Sequence, residues 1–235
     1  MKVLETFLSF QGEGAFAGRR TFFVRLAGCN LKCFWCDTKT AQNENAGKEM
    51  TADELYQILE SYHIIDVDIC ITGGEPLLQQ TDKELLAFLD KCYLEHNITI
   101  ETNGTILPTE ELCRYIDACV VSPKLKAMGI HSEQFNYNYD TLLTLSYMTS
   151  FLNDGKVYYK FVVNPHDDEV FDACVKEIEN FAIENDVWYS NIYLMPKGQT
   201  KEEIQAGTEK LLERITEHNL PYSITTRQHI LFNFK

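Results

Sequence analysis

The 235-residue sequence is short of positive charge, of proline and of long apolar runs. Its 21 Lys and Arg stand against 35 Asp and Glu, a formal net charge of −14. So acidic a surface repels phosphate backbones, and no run of basic residues offsets it, so direct nucleic-acid binding is disfavoured and a small-molecule partner expected. No stretch approaches the roughly 18 apolar residues of a membrane span, and the first residues lack the apolar core and cleavage site of a signal peptide. A cytoplasmic protein without membrane contact is the expectation. Nor is there a Pro/Ser-rich linker, a low-complexity run or an internal repeat, which leaves a single domain over 1–235.

Cysteine is present in number but not in disulfide-like pairs. Of the eight, Cys70, Cys92, Cys113, Cys119 and Cys174 lie inside apolar runs and read as core filler in a reducing compartment. The other three, Cys29, Cys33 and Cys36, fall at i, i+4 and i+7 in one loop. Thiolates at that spacing suit zinc or an iron-sulfur cluster. A closed zinc site needs four ligands, and no second C-x2-C pair follows. Either the fourth corner is left open, or a zinc knuckle borrows His63 or Cys70, or the three are unrelated buried thiols.

Apolar patterning supplies the frame. Strands are expected over 21–26, 67–72, 98–102, 118–122, 157–163 and 192–195, after a short strand and glycine-bearing loop over 3–14. Helices are expected from the capping residues Thr51, Thr81, Thr109, Asp167 and Thr200, with a further helical stretch over 139–151 and an extended close over 222–232. Strands separated by helices imply parallel βαβ units. The expected fold is α/β, a partial (β/α)6 barrel with the cysteine loop directly after its first strand. Functional residues then belong at the carboxyl ends of strands. The unusual residues fall there: Arg25 and Cys29, Thr72-Gly73-Gly74-Glu75-Pro76, Glu101-Thr102-Asn103-Gly104, Ser122-Pro123-Lys124, Lys160 on the fifth strand, and Met195-Pro196-Lys197-Gly198.

Cys-x3-Cys-x2-Cys with an aromatic before the last cysteine, followed by Gly73-Gly74-Glu75-Pro76, resembles the radical S-adenosylmethionine (SAM) superfamily. Together with Gln11-Gly12-Glu13-Gly14, Arg25, Cys36-Asp37-Thr38, Glu101 to Gly104 and Ser122 to Lys124, it resembles the 7-carboxy-7-deazaguanine synthase family over nearly the whole chain. The resemblance implies a radical SAM domain, a lyase of queuosine-type 7-deazapurine biosynthesis. Its [4Fe-4S] cluster would be held by Cys29, Cys33 and Cys36, with SAM on the open iron. Trp35, Cys36, Asp37, Gly74, Ser122, Pro123 and Lys124 would contact SAM. Phe10, Gln11, Gly12, Arg25 and Thr72 would contact the substrate, 6-carboxy-5,6,7,8-tetrahydropterin, and Thr38 would ligate Mg2+. A 5′-deoxyadenosyl radical would take hydrogen from carbon 6, the ring would contract, and ammonia would leave. An external one-electron donor, flavodoxin-like or ferredoxin-like, and a homodimer are also implied. Lys197 departs from the family's acidic residue after Met-Pro, and Asn103 from its usual serine; the tail from Arg227 to Lys235 receives no role. Two rivals stay open: a glycyl-radical activase, which has no need of Gln11, Arg25 and Thr38, and a zinc-stabilised binding module without catalysis.

Overall fold

The structure is a computed structural model describing residues 1–33, 35–129 and 156–235. The helix expected over 139–151 lies outside the described residues. Among these, one nine-stranded sheet organises everything else, in the order β3-β1-β2-β4-β5-β6-β7-β8-β9. The strands are β1 (Lys2–Phe10), β2 (Arg20–Leu26), β3 (Lys48–Glu49), β4 (Asp68–Gly73), β5 (Ile98–Thr102), β6 (Ala118–Val121), β7 (Lys156–Val163), β8 (Ile192–Pro196) and β9 (Ser223–Ile224). From β2 onward every pairing is parallel, so the expected six barrel strands are present and β9 adds a seventh that does not close the sheet. β4 and β6 are almost wholly buried, as parallel strands covered on both faces must be.

Two differences concern the leading edge and the tail. The short first strand is a nine-residue β1, antiparallel to both β2 and β3. It is held there by cross-strand aromatic packing, with Phe7 stacked on Phe23 at 4.9 Å. The extended close expected over 222–232 is instead the two-residue β9 and a short helix, Gln228–Phe232. Apolar residues alternate poorly there, and Arg227 turns the chain out of the sheet, its carbonyl accepting from the N–H groups of Ile230 and Leu231.

The helices are α1 (Ala52–Ser61), α2 (Lys83–Cys92), α3 (Glu110–Cys113), α4 (Asp168–Glu184), α5 (Lys201–Glu217) and α6 (Gln228–Phe232). Thr51 and Thr200 each form the reciprocal capping box with a glutamate three residues on. For α2 the cap is Asp82 rather than Thr81, because its carboxylate accepts two backbone N–H groups, from Glu84 and Leu85. Leu55, Phe88, Phe171 and Leu211 bury the inner faces of α1, α2, α4 and α5. Cys70, Cys92, Cys119 and Cys174 are buried as core filler, and Cys113 is half-buried.

Candidate active site

β2 ends at Leu26, and the chain then enters the cysteine loop. Leu31 and Trp35 anchor that loop in the core, 5% and 7% exposed, while Cys29, Cys33 and Cys36 stay partly open. The loop is tied by Cys36 N–H to the Cys33 carbonyl at 3.2 Å and by Leu31 N–H to Cys29 Sγ at 3.4 Å. All three cysteines line a cavity of about 360 Å³. Among the described residues no three His, Cys, Asp or Glu side chains converge as the ligands of one metal ion do. A four-iron cube is gripped at three separate corners, so its thiolates need not meet at a point. Burial pushes the Cys29 and Cys33 thiols above their usual range, offset at Cys33 by the nearby Lys124 ammonium.

The glycine turn after β4 closes against this loop through backbone alone. Glu75 N–H donates to the Gly28 carbonyl, and Gly28 N–H to the Ala41 carbonyl, both at 2.8 Å. A Cβ on Gly74 would stand 2.0 Å from the Gly28 oxygen and 2.5 Å from the Ala41 oxygen. Backbone cannot give way as a side chain can, so only glycine fits. Glu75 itself is buried and points away from the cavity. It accepts from Leu77 N–H, Thr102 Oγ1 and Asn103 N–H, so it stitches the β4 turn to the loop after β5. Burial raises its carboxyl despite those bonds. Gly74→Ala is expected to cost about 1–3 kcal/mol in urea unfolding, in the range of an overpacked site, and to lower iron retention because the clash falls on both ends of the cysteine loop.

The chain after β1 reaches residues of β5 and β7 and the segment after β9, through Gln11 to Glu101, Glu13 to Lys160 and Gly14 to Thr225. Gln11 is buried and spans two groups: its amide donates to Glu101 Oε1 at 3.0 Å, and its oxygen accepts Glu13 N–H at 3.2 Å. Thr72 Oγ1 donates to the other oxygen of Glu101 at 2.9 Å. Glu13 lies between two cations, Lys160 Nζ at 2.5 Å and Arg227 Nε at 3.2 Å. Arg25 pairs with Glu5 at 3.0 Å and lies over the Phe7 ring. Thr38 Oγ1 donates to Asp37 at 3.0 Å, and Lys124 Nζ to Ser122 at 2.8 Å.

The structure thus brings Phe10, Gln11, Gly12, Arg25, Trp35, Cys36, Asp37, Thr38, Thr72, Gly74, Ser122 and Lys124 to one cavity wall. Pro123 is buried and does not line it. Sequence reasoning gave no role to Glu101, Lys160, Arg227, His229, Phe234 and Lys235, which also line it. Glu101 and Lys160 were visible as charges on otherwise apolar strands; the tail had no such signal. Five cations (Arg25, Lys124, Lys160, Arg227, Lys235) face four carboxylates (Glu5, Glu13, Asp37, Glu101) there. In a chain of net charge −14, that is a local reversal suited to anionic ligands.

The fold and site define a class. The sequence model of the Radical SAM superfamily matches residues 24–211, from β2 into α5. In architecture the chain is similar to crystal structures of QueE from Escherichia coli and of Streptococcus suis SuiB bound to S-adenosylmethionine. The first gives a TM-score of 0.62 at 21% identity over 96% of this chain and 93% of that one. The second gives 0.54 at 18% over 83% and 44%. In sequence it is 32% identical to the 7-carboxy-7-deazaguanine synthase of Pyrobaculum aerophilum, over 98% of this chain and 94% of that one. It is 31% identical to that of Halobacterium salinarum over 98% and 89%. The chain belongs to the 7-carboxy-7-deazaguanine synthase family of radical SAM enzymes. Its cofactors are a [4Fe-4S] cluster and SAM, and it takes a small-molecule substrate and electrons from an external donor. Among the described residues no helix is long and apolar enough to cross a membrane.

Proposed function

We propose that this chain converts 6-carboxy-5,6,7,8-tetrahydropterin to 7-carboxy-7-deazaguanine with loss of ammonia. The observation that carries the reading is one cavity in which a three-cysteine loop and a backbone-lined glycine turn face Gln11, Arg25, Thr72 and Glu101. Cys29, Cys33 and Cys36 would hold the cluster, leaving one iron for SAM. When bound, cluster and SAM supply a 5′-deoxyadenosyl radical for hydrogen abstraction.

The chain's own residues bind, orient and shield. Arg25 offers a guanidinium to the substrate carboxylate, sharing Glu5 until it arrives. Gln11 and Thr72 hold Glu101 with both oxygens fixed, so that its outer lone pairs face the pterin's N–H groups. Gly12 offers the substrate its backbone, its missing side chain letting His229 pack against it, and Phe10, half-exposed, closes the mouth edge-on to Phe234 at 6.4 Å. Trp35, Asp37, Gly74, Ser122 and Lys124 bound the SAM side, Pro123 backing them from the core. Thr38 would ligate Mg2+, a hard ion suited to a hydroxyl oxygen. A homodimer in the cytoplasm, reduced by a flavodoxin-like or ferredoxin-like donor, completes the reading. A glycyl-radical activase would leave the fixed Gln11, Thr72 and Glu101 set without a partner.

The test is anaerobic. Reconstituted protein with SAM, Mg2+, dithionite and the pterin is expected to give a product lighter than substrate by one ammonia, with SAM acting catalytically, by mass spectrometry. Cleavage of SAM with the pterin untouched would sink the substrate assignment. Arg25→Ala is expected to raise the KM for the pterin roughly a hundredfold, about 3 kcal/mol of a charged hydrogen bond, while SAM affinity holds.

A further inference from the structure

Arg227 uses three edges of one guanidinium on three separate parts of the chain. Its Nε meets Glu13 Oε1 at 3.2 Å, its Nη2 meets Asp37 Oδ2 at 3.3 Å, and its Nη1 donates to the Gly198 carbonyl. The side chain is 6% exposed. Those partners belong to the loop after β1, the cysteine loop and the loop after β8. Arg227 also separates two hollows: it lines the main cavity and a neighbouring one of about 370 Å³ walled by Trp35, Val162 and Gly198. Glu13 is held a second time by Lys160, but Asp37 is 41% exposed, and among the described residues its bonds are to Arg227 and to the adjacent Thr38 hydroxyl. Arg227 is therefore the tether that fixes Asp37 to the far side of the cavity.

We propose that Arg227 is a positioning residue that sets the distance between the substrate-side loop, through Glu13, and the SAM-side loop, through Asp37. What those loops face rests on the proposed function; the three-way contact does not. A radical abstraction depends on the separation of donor and acceptor, so a tether across the two binding faces acts on coupling rather than on either affinity alone. Only arginine suits the task. Its planar fork presents donors in fixed, divergent directions, whereas a lysine ammonium is a single point that cannot reach two carboxylates and a carbonyl on three sides. The same residue starts α6, where Gln228 N–H donates to the Gly12 carbonyl at 3.0 Å and a Cβ on Gly12 would come within 2.5 Å of His229 Nδ1. Loosening Arg227 thus loosens the start of the segment 227–235, whose far end stays held by Lys235 on Glu5 and Phe234 on Phe10.

The experiment compares wild type, Arg227→Lys and Arg227→Met as reconstituted holoenzymes. Four quantities are read: iron per chain, SAM affinity without reductant, 5′-deoxyadenosine released per deazaguanine formed, and the rate of proteolysis within 227–235. In Arg227→Lys, iron content is expected to hold. SAM Kd and pterin KM should each rise about tenfold, as for one charge-assisted contact. Released 5′-deoxyadenosine per product should rise severalfold, and the tail should be cut faster. A purely structural residue would instead lower iron content and thermal stability at an unchanged ratio, and that result overturns the proposal. So does additivity of Glu13→Gln with Arg227→Lys in a double-mutant cycle on the release ratio. Should Arg227→Met fail to fold, the charge-keeping lysine variant decides. If wild type cleaves SAM but leaves the pterin untouched, the functional reading fails by itself, and SAM affinity and tail proteolysis still judge the tether.

Discussion

Cys33→Ala is expected to give a folded, colourless protein that binds substoichiometric iron and forms no 5′-deoxyadenosine. The loop does not depend on that thiol for its shape. Leu31 and Trp35 anchor it in the core, and the backbone of residue 33, not its sulfur, accepts from Cys36 N–H and the Gln42 amide. Alanine keeps those bonds and removes one corner of the cluster site. With two thiolates left the cluster is neither closed nor correctly open, and without it SAM cannot be reduced. Iron and sulfide analysis, visible absorbance and circular dichroism check the three parts of the expectation. A variant with full iron would show that another side chain supplies a ligand, and would reopen the zinc-type reading that borrows His63 or Cys70. Cys70 is poorly placed to do so: it is fully buried on β4, and burial holds its thiol well above the ordinary range.

The sequence carried this site unevenly, for physical reasons. Residues whose chemistry depends on close spacing were legible, since Cys29, Cys33 and Cys36 share one loop and Gly73-Gly74 one turn. The parallel frame was legible too, because strands buried on both faces read as unbroken apolar runs. Arg227 was not. Its partners Glu13 and Asp37 lie some two hundred residues upstream in a 235-residue chain, and nothing local to Thr226-Arg227-Gln228 distinguishes a buried tether from a solvated charge. The tail was misread as extended for a related reason: Gln228 to Phe232 carries too few residues to show a helical period, and the bond of Gln228 N–H to Gly12 that seats it is long-range. Glu75 shows the reverse case. It stands in the same string as the glycine turn and received no role of its own, and it is 1% exposed and braces the neighbouring loop.

Glu13→Gln is expected to be the most destabilising single change in the site, by about 3–5 kcal/mol, the cost of breaking a buried ion pair from one side. Both Glu13 oxygens are engaged, one by Lys160 and one by Arg227, and all three side chains are at most 12% exposed. Glutamine matches the shape but offers one acceptor and no charge, so among the described residues Lys160 keeps the Glu101 carboxylate nearby and Arg227 that of Asp37 together with the Gly198 carbonyl. For a chain of this length the expected fall in Tm is roughly 10 °C. The pH dependence gives a separate signature. Burial alone would raise the Glu13 carboxyl, but the Lys160 and Arg227 charges outweigh it and bring it from 4.5 down to about 2. The unfolded chain therefore takes up this proton first as the solution is acidified. The stabilisation is complete above the unfolded value and is lost as pH falls from 4.5 toward 2, about 3 kcal/mol in all. Wild type should lose stability across that window more steeply than Glu13→Gln by one proton's worth of slope, while above it the two run parallel. Urea unfolding of both proteins across the acid range reads the difference, and parallel curves throughout would show that Glu13 is not the held carboxylate. Replacing Glu13 and Lys160 together by methionine should recover part of the loss, because a missing pair costs less than a stranded charge. Any such recovery would come without activity, which separates what the pair does for folding from what Glu13 does in the cavity.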